Sequence, residues 1–225
     1  MINKQNSGYR WYILGLAALA YAFIAGAARL CMPVLFKEIG TDLNLSVTAI
    51  GTVWGMDPLA GIFVGLPAGL LADRFGVKRT LVVLCLLAGV TGALRGFSVN
   101  FFTMAATMFL FGLMAAATPS VIPKITAEWF SGKHLGLANA IVNVAWSLGA
   151  MGATLTSATL ISPWLGGWRN TLFFFGAPAF LLGLLMLFTM RDPGKNELPA
   201  AFPNEPIANK VPFKQAISHV IKLKD

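Results

Sequence analysis

The chain has 225 residues, of which 56% are hydrophobic and only 12% are charged, and its formal net charge is +8. Soluble domains carry about 25% charged residues, so this chain has too little charge to cover a globular surface in water. The positive excess is spread over short segments between apolar runs and forms no single patch, which argues against a nucleic-acid binder. The composition indicates a membrane-embedded protein.

Six apolar runs are long enough to cross the hydrocarbon core of a bilayer, which takes about 20 helical residues. Each run is expected to be helical, because lipid offers no hydrogen-bond partner to an unpaired backbone group. The length of the first run and the five that follow it argue against a cleaved signal peptide. The fold class is therefore predicted to be all-α and polytopic. The predicted spans cover residues 11–32, 47–71, 80–99, 101–123, 136–161 and 169–190.

The distribution of lysine and arginine predicts the direction of the spans, because cytoplasmic loops carry more of both. With the N-terminus in the cytoplasm, the outer side holds Lys37, Arg95 and Arg169. Both termini are therefore expected in the cytoplasm, and the protein in the plasma (inner) membrane. The inner side then holds nine basic residues: Lys4, Arg10, Arg74, Lys78, Arg79, Lys124, Lys133, Arg191 and Lys195.

Residues 191–225 differ in composition from residues 1–190, which are expected to form a six-helix bundle. Residues 191–212 contain five prolines and scattered charge, which is typical of a cytoplasmic linker. From residue 213 onward, apolar side chains recur at helical spacing with lysines opposite them. This pattern predicts a short basic amphipathic helix on the inner membrane surface.

The side chains that usually carry catalysis or bind metals are scattered along the chain. Cys31 and Cys85 both lie in apolar runs, so neither a disulfide framework nor a metal site is predicted. His134 and His219 lie in a loop and in the tail, and no span holds a Ser/His or paired-acid arrangement. We therefore expect neither an enzyme nor a bound cofactor.

A segment rich in glycine and charge joins the second and third spans. Gly76 permits a tight reversal, and the neighbouring cations hold the turn at the anionic inner leaflet. Asp73, at the inner end of the second span, can pair with those cations or with the N-terminus of another helix. The segment reads Gly69-Leu-Leu-Ala-Asp73-Arg74-Phe-Gly76-Val-Lys78-Arg79.

This segment resembles the signature between helices 2 and 3 of the major facilitator superfamily. Glu128-Trp129-Phe130 is similar to an aromatic pair found in many organic-anion and nitrate-type members, and Gly167-Trp168-Arg169 is similar to a segment that often opens the sixth helix. The resemblance covers residues 1 to about 190, and the tail resembles the start of the loop between the two halves of the family's fold.

The resemblance implies one half of a twelve-helix fold, in which two six-helix bundles enclose a central cavity. It implies a secondary transporter, and the signature segment from Gly69 to Arg79 would act as its conformational switch. In that family the signature is thought to lock against a helix of the second bundle, so Asp73 and Arg74 are expected to lack that particular partner here. The second bundle would come from a longer chain or from a second copy of this one, and we favour the longer chain.

Two positions depart from patterns of the family. Met108 stands four residues before Gly112, where the fourth helix often carries an arginine. The fifth span reads Ser147-Leu-Gly149-Ala-Met-Gly152 and lacks the central Gly-Pro of drug/proton antiporters, which argues against a drug antiporter.

Asp57 and Arg29 are the two charged candidates for substrate binding inside the spans, where charges are costly and usually functional. Asp57 lies about 16 Å from the predicted N-cap Ser46, near the midplane, and precedes Pro58. It could titrate and couple transport to protons, or bond to backbone groups freed by the proline. Arg29 could bind an anion or anchor the outer interface. Their depths differ by about 10 Å, so a direct salt bridge is not expected, although a water could link the two side chains.

Asn139, Asn143 and Trp146 share one face of the fifth span and are the remaining candidates for substrate binding. Buried amides also tie helices together, which is the alternative for the two asparagines. On the fourth span, small residues recur in four-residue steps and end at Lys124, which suits either close packing or a lined passage.

The sequence thus favours secondary transport of a small polar solute, with an organic anion as the candidate class, by alternating access. Proton symport is one option for its coupling. A non-transporting membrane sensor or binding module on the same fold is the alternative, because fold does not fix function.

Overall fold

The computed structural model describes residues 7–191, apart from the side chains of Ser7 and Leu66. The linker and the amphipathic helix expected after Arg191 lie outside the described residues. Within this range the regular elements are all helical: α1 Ser7–Tyr21, a π-helical segment Ala22–Ala28, α2 Arg29–Val34, α3 Phe36–Asp42, α4 Val47–Phe75, α5 Val77–Leu94, a 3-10 turn Arg95–Phe97, α6 Phe101–Trp129, α7 Lys133–Thr156, a second π-helical segment Ser157–Ile161, α8 Ser162–Leu165 and α9 Trp168–Thr189.

Six stretches of the described chain are long and apolar enough to cross a membrane, which confirms the predicted all-α polytopic fold class. We number these stretches spans 1 to 6. Spans 1 and 4 run further than the sequence predicts, because helices continue through Pro33 and Pro123. The spans are Gly8–Val34, Val47–Gly65, Val77–Phe97, Phe101–Trp129, Lys133–Leu165 and Trp168–Thr189.

Local capping chemistry sets the ends of the helices. The Ser46 side chain accepts a hydrogen bond from the Ala49 amide and begins α4, as predicted for an N-cap. Asn100 and Thr103 form a capping box at the start of α6. Gly76 has a φ of 89°, in the region that favours glycine, so the chain reverses between α4 and α5 within this single residue.

The spans pack in pairs, with span 2 against span 4, span 3 against span 6, and the π-helical part of span 1 against span 5. Spans 2 and 4 run in the same direction and meet along a seam of mostly small residues. Gly61 contacts Ala116, and Ser120 donates a hydrogen bond to the Gly65 carbonyl at 3.3 Å. The stripe on span 4 therefore packs closely against span 2.

The bundle buries its spans unequally. Only 17% of the apolar windows of spans 2 and 5 is buried, against 61% for span 1. Added Cβ atoms at Gly51 and Gly55 on span 2, or at Gly136 and Gly152 on span 5, would meet no atom within 4 Å. Spans 2 and 5 therefore present their backbones on open faces of the described bundle.

Candidate functional site

Arg29 of span 1 and Asp57 of span 2 form a direct salt bridge, with the Arg29 Nε donating to Asp57 Oδ2 at 2.6 Å. The Asp57 side chain is fully buried, whereas 29% of the Arg29 side chain is exposed. Asp57 Oδ1 is also buried and has no hydrogen-bond partner. The expectation that the two side chains form no direct salt bridge is therefore wrong, and Arg29 is more than an outer-interface anchor.

The depth estimate failed because the helix of span 1 continues outward beyond Pro33. A Cβ on Gly40 would lie 2.6 Å from the Ile50 side chain, so Gly40 and Ile50 lie at one level. From that level Arg29 lies eleven residues inward, about 16 Å, and Asp57 lies seven residues inward, about 10 Å. The side chains of Arg29 and Asp57 are long enough to span the remaining difference in depth.

Glycines bring the backbones of neighbouring spans together around the ion pair. A Cβ on Gly112 would lie 2.8 Å from Asp57 Cα, so span 4 packs directly against the residue that carries the carboxylate. A Cβ on Gly26 would lie 2.7 Å from the Trp146 carbonyl oxygen of span 5. Gly26 belongs to the π-helical segment just before Arg29, and such segments are frequent at functional sites.

Arg95 is a second arginine near this pair, and the sequence analysis did not identify it as a site candidate. It counted Arg95 among the cations of the outer side, but the side chain is fully buried in the bundle. The guanidinium donates to the Ala28 carbonyl at 2.8 Å and to the Gly92 carbonyl at 3.1 Å. It also lies 3.9 Å from the centroid of the Phe111 ring. The sequence did contain a signal for a buried Arg95, because this residue falls inside the predicted run 80–99, just as Arg29 falls inside 11–32.

The Arg95 guanidinium also contacts Met108, with 3.8 Å between Nη1 and Sδ. Met108 stands where the family resemblance leads us to expect an arginine on the fourth helix. A guanidinium does lie beside this position, but it belongs to Arg95 of span 3.

The three candidates on span 5 occupy different environments. Asn139 Oδ1 accepts a hydrogen bond from Thr126 Oγ1 at 2.7 Å, so Asn139 ties span 5 to span 4. Asn143 is exposed, and its amide donates to the Asn139 carbonyl at 2.8 Å. Trp146 is 36% exposed and stacks on Tyr21 of span 1, with 6.2 Å between the ring centroids. Tyr21, which the sequence analysis did not identify, also lies within electrostatic range of Arg29.

The signature segment has a partner inside the described chain. The Lys124 ammonium donates to Asp73 Oδ1 at 2.5 Å and to the Gly69 carbonyl at 2.8 Å. Asp73 is therefore paired with a cation of span 4, because the seam between spans 2 and 4 ends at this lysine. The Arg74 guanidinium lies over the Phe75 ring at 5.4 Å.

The Gly-Trp-Arg segment ties together the end of the bundle that lies opposite the Gly76 turn. Arg169 forms a salt bridge with Asp42, and the Trp168 indole donates to the same carboxylate at 3.3 Å. Arg169 also donates to the Ser98 carbonyl. These contacts join α3, the segment after span 3 and the start of span 6. Within residues 7–191, no group of three or more His, Cys, Asp or Glu side chains is placed to hold a metal ion.

Comparison with known proteins identifies a family. The family model described as Major Facilitator Superfamily matches residues 17–224. The solved structures of a bacterial homolog of the human lysosomal transporter Spinster share the fold. The inward-facing, unoccupied form has a TM-score of 0.76 at 20% identity, over 96% of this chain and 50% of that one. The inward-facing, occupied form has a TM-score of 0.70 over 83% of this chain and 45% of that one.

Several curated relatives have names that state a transported solute. A protein of Cupriavidus necator named "Probable sulfoacetate transporter SauU" is 28% identical over 84% of this chain and 43% of its own length. The "Probable galactarate/D-glucarate transporter GudP" of Bacillus subtilis is 26% identical over 85% of this chain and 43% of its own. The "4-hydroxybenzoate transporter PcaK" of Pseudomonas aeruginosa is 28% identical over 86% and 43%. This chain spans less than half the length of these three relatives.

Proposed function

The chain belongs to the major facilitator superfamily, and on that premise we propose that the protein is a secondary transporter that moves a small anionic solute by alternating access. The relatives named above are described as transporters of a sulfonate, sugar diacids or an aromatic acid, all of which are anions. Transport rather than enzymatic chemistry is the activity that this family and fold support.

The observation that carries the anion preference is the pairing of Arg29 with Asp57. Arg29 uses its Nε for Asp57 and keeps part of its side chain exposed, so the guanidinium can also donate hydrogen bonds to a carboxylate or sulfonate. A guanidinium presents a planar set of donors that matches such groups. We place the solute against Arg29, Asp57, Trp146 and Asn143, with Asn139 behind them.

A second six-helix bundle would complete the cavity. The open faces of spans 2 and 5 support this, because they leave room for a second bundle to pack against them. We propose that the rest of a longer chain supplies the second bundle, and a second copy of this chain is the alternative. The membrane is proposed to be the plasma (inner) membrane, with both termini in the cytoplasm.

The signature segment is proposed to act as the conformational switch. Gly69, Asp73, Arg74, Gly76, Lys78 and Arg79 lie at or after the inner end of span 2, where the two bundles would separate. Asp73 is 64% exposed despite its bond to Lys124, so it remains accessible to a second partner. Exchange between Lys124 and a group on the other bundle would then couple this loop to the opening of the inner side.

Uptake into proteoliposomes tests the proposal with the complete gene product. Radiolabelled sulfoacetate, D-glucarate and 4-hydroxybenzoate are the probes, and Arg29→Gln is expected to reduce uptake of the transported probe at least tenfold. Arg169→Gln is the matched control, because it removes a cation that lies at the outer end of the bundle. Absence of uptake of every probe, with binding retained, would favour a sensor.

Coupling to protons is a separate part of the proposal and would depend on Asp57. If Asp57 carries the proton, Asp57→Asn should abolish uptake driven by a pH gradient but preserve exchange of labelled for unlabelled solute. If Asp57 serves only as the counter-ion of Arg29, both activities should fall together.

A further inference from the structure

Arg95 is a buried cation that has no role in the transport cycle proposed above. It is fully buried, and within residues 7–191 no carboxylate lies within salt-bridge distance of it. Its neighbours are two carbonyl oxygens, a thioether and an aromatic ring. A buried charge needs a compensating charge, and neutral groups provide only part of that compensation.

Asp57 is the acid placed to compensate Arg95. The Arg95 guanidinium packs on Phe111, and the next residue, Gly112, lies against the backbone of Asp57. Asp57 also has a buried oxygen, Oδ1, that accepts no hydrogen bond, so its bond to Arg29 does not exhaust its capacity.

Arg95 also holds the backbone next to Arg29. Ala28 is the last residue of the π-helical segment and the N-cap of α2. Its carbonyl accepts hydrogen bonds from Arg95 Nη2 at 2.8 Å and from the Cys31 thiol at 3.4 Å. The end of the π-helical segment, and with it the start of the Arg29 side chain, is therefore fixed from span 3.

We propose that Arg95 is a positioning residue that compensates Asp57 when Arg29 turns to the solute. Arg29, Arg95 and Asp57 together carry one net positive charge. This half of the protein therefore binds a single anionic group of the solute, a carboxylate or a sulfonate. Any further anionic group of a solute must be met by residues outside spans 1 to 6. This inference rests on the proposed anion transport.

The first test is a double-mutant cycle on thermal stability, measured in detergent on the complete gene product without solute. Arg95→Met is expected to lower the Tm by roughly 6–15 °C, because it leaves a buried carboxylate with one partner fewer. In the Asp57→Asn background the same change should cost less than half as much. The lost bonds to Ala28 and Phe111 are the same in both backgrounds, so the difference reports the coupling between Arg95 and Asp57.

Arg169→Met serves as the control cation in the same cycle, and its effect should not depend on Asp57. Equal losses for Arg95→Met in the two backgrounds would overturn the proposal. Because no solute is present, that failure is distinguishable from a failure of the proposed transport.

The second test moves the charge from span 3 to span 4. Arg95 Nη1 already touches Met108, so the double variant Arg95→Met/Met108→Arg returns a guanidinium to the same space from the other helix. It should recover at least half of the Tm lost by Arg95→Met, and Arg95→Lys should recover less because it lacks the planar fork. If Arg95 acts only through the bonds of its side chain to the Ala28 and Gly92 carbonyls, Arg95→Met/Met108→Arg should recover none of the lost Tm. That result would contradict the proposal.

Discussion

Gly26 of span 1 and Gly149 of span 5 let the two helices touch backbone to backbone. A Cβ on Gly26 would lie 2.7 Å from the Trp146 carbonyl oxygen, and a Cβ on Gly149 would overlap the carbonyl of Ala22. Ala22 begins the π-helical segment that ends just before Arg29. The close approach of spans 1 and 5 therefore sets both the packing of the bundle and the backbone from which Arg29 reaches Asp57.

Gly149→Ala should destabilise the protein. In an open helix the change would gain roughly 1 kcal/mol from helix propensity. Here the added methyl group meets the backbone of span 1, and such overpacking costs about 1–3 kcal/mol or more. Gly152→Ala is the matched control on the same helix, because its Cβ would meet no atom within 4 Å. Thermal melts in detergent should show a lower Tm for Gly149→Ala only, and equal melting of the two variants would show that the contact does not constrain the bundle.

The sequence predicted the six spans well because lipid demands long apolar helices, and this signal is local. The turn at Gly76 and the N-cap at Ser46 were also predictable, since each depends on one residue and its neighbours. The salt bridge between Arg29 and Asp57 was not, because the depth of Arg29 depends on how far helix 1 continues past Pro33.

Arg95 was missed for a different reason. Its position near the end of an apolar run is compatible with an outer loop, and only the tertiary contacts with Ala28 and Phe111 bring it inside. The pairing of Asp73 with Lys124 was missed because the two residues are 51 positions apart and meet only when spans 2 and 4 pack in register.

Lys124→Gln should weaken the inner end of the seam between spans 2 and 4 by a modest amount. Asp73 is largely exposed, so water screens its bond to Lys124, and exposed pairs contribute roughly 0–1 kcal/mol. A double-mutant cycle of Lys124→Gln with Asp73→Asn should give a coupling energy in that range by chemical denaturation. Arg74→Gln is the control, because its guanidinium lies over Phe75 and should show no coupling to Asp73. Equal couplings for Lys124 and Arg74 would contradict the specific pairing.

Arg79→Cys should be labelled from the cytoplasmic side, and Lys37→Cys from the outer side. Both side chains are exposed, and they lie at opposite ends of spans 1 and 2. The native Cys31 and Cys85 are buried and should contribute little background. A membrane-impermeant maleimide applied to intact cells should modify Lys37→Cys alone, and after lysis it should modify both. Labelling of Arg79→Cys in intact cells would reverse the proposed direction of the spans.

Trp146→Leu should reduce the affinity for an aromatic solute more than for an aliphatic one. Trp146 and Tyr21 form a stacked aromatic pair on the face that carries Arg29, and a further ring adds about 0.5–1.5 kcal/mol in such contacts. The KM for 4-hydroxybenzoate should rise roughly 3- to 10-fold, with the KM for sulfoacetate nearly unchanged. Trp164→Leu is the control, since Trp164 is 77% exposed at the outer end of span 5. If the two KM values rose equally, the aromatic pair would have only a structural role in joining spans 1 and 5.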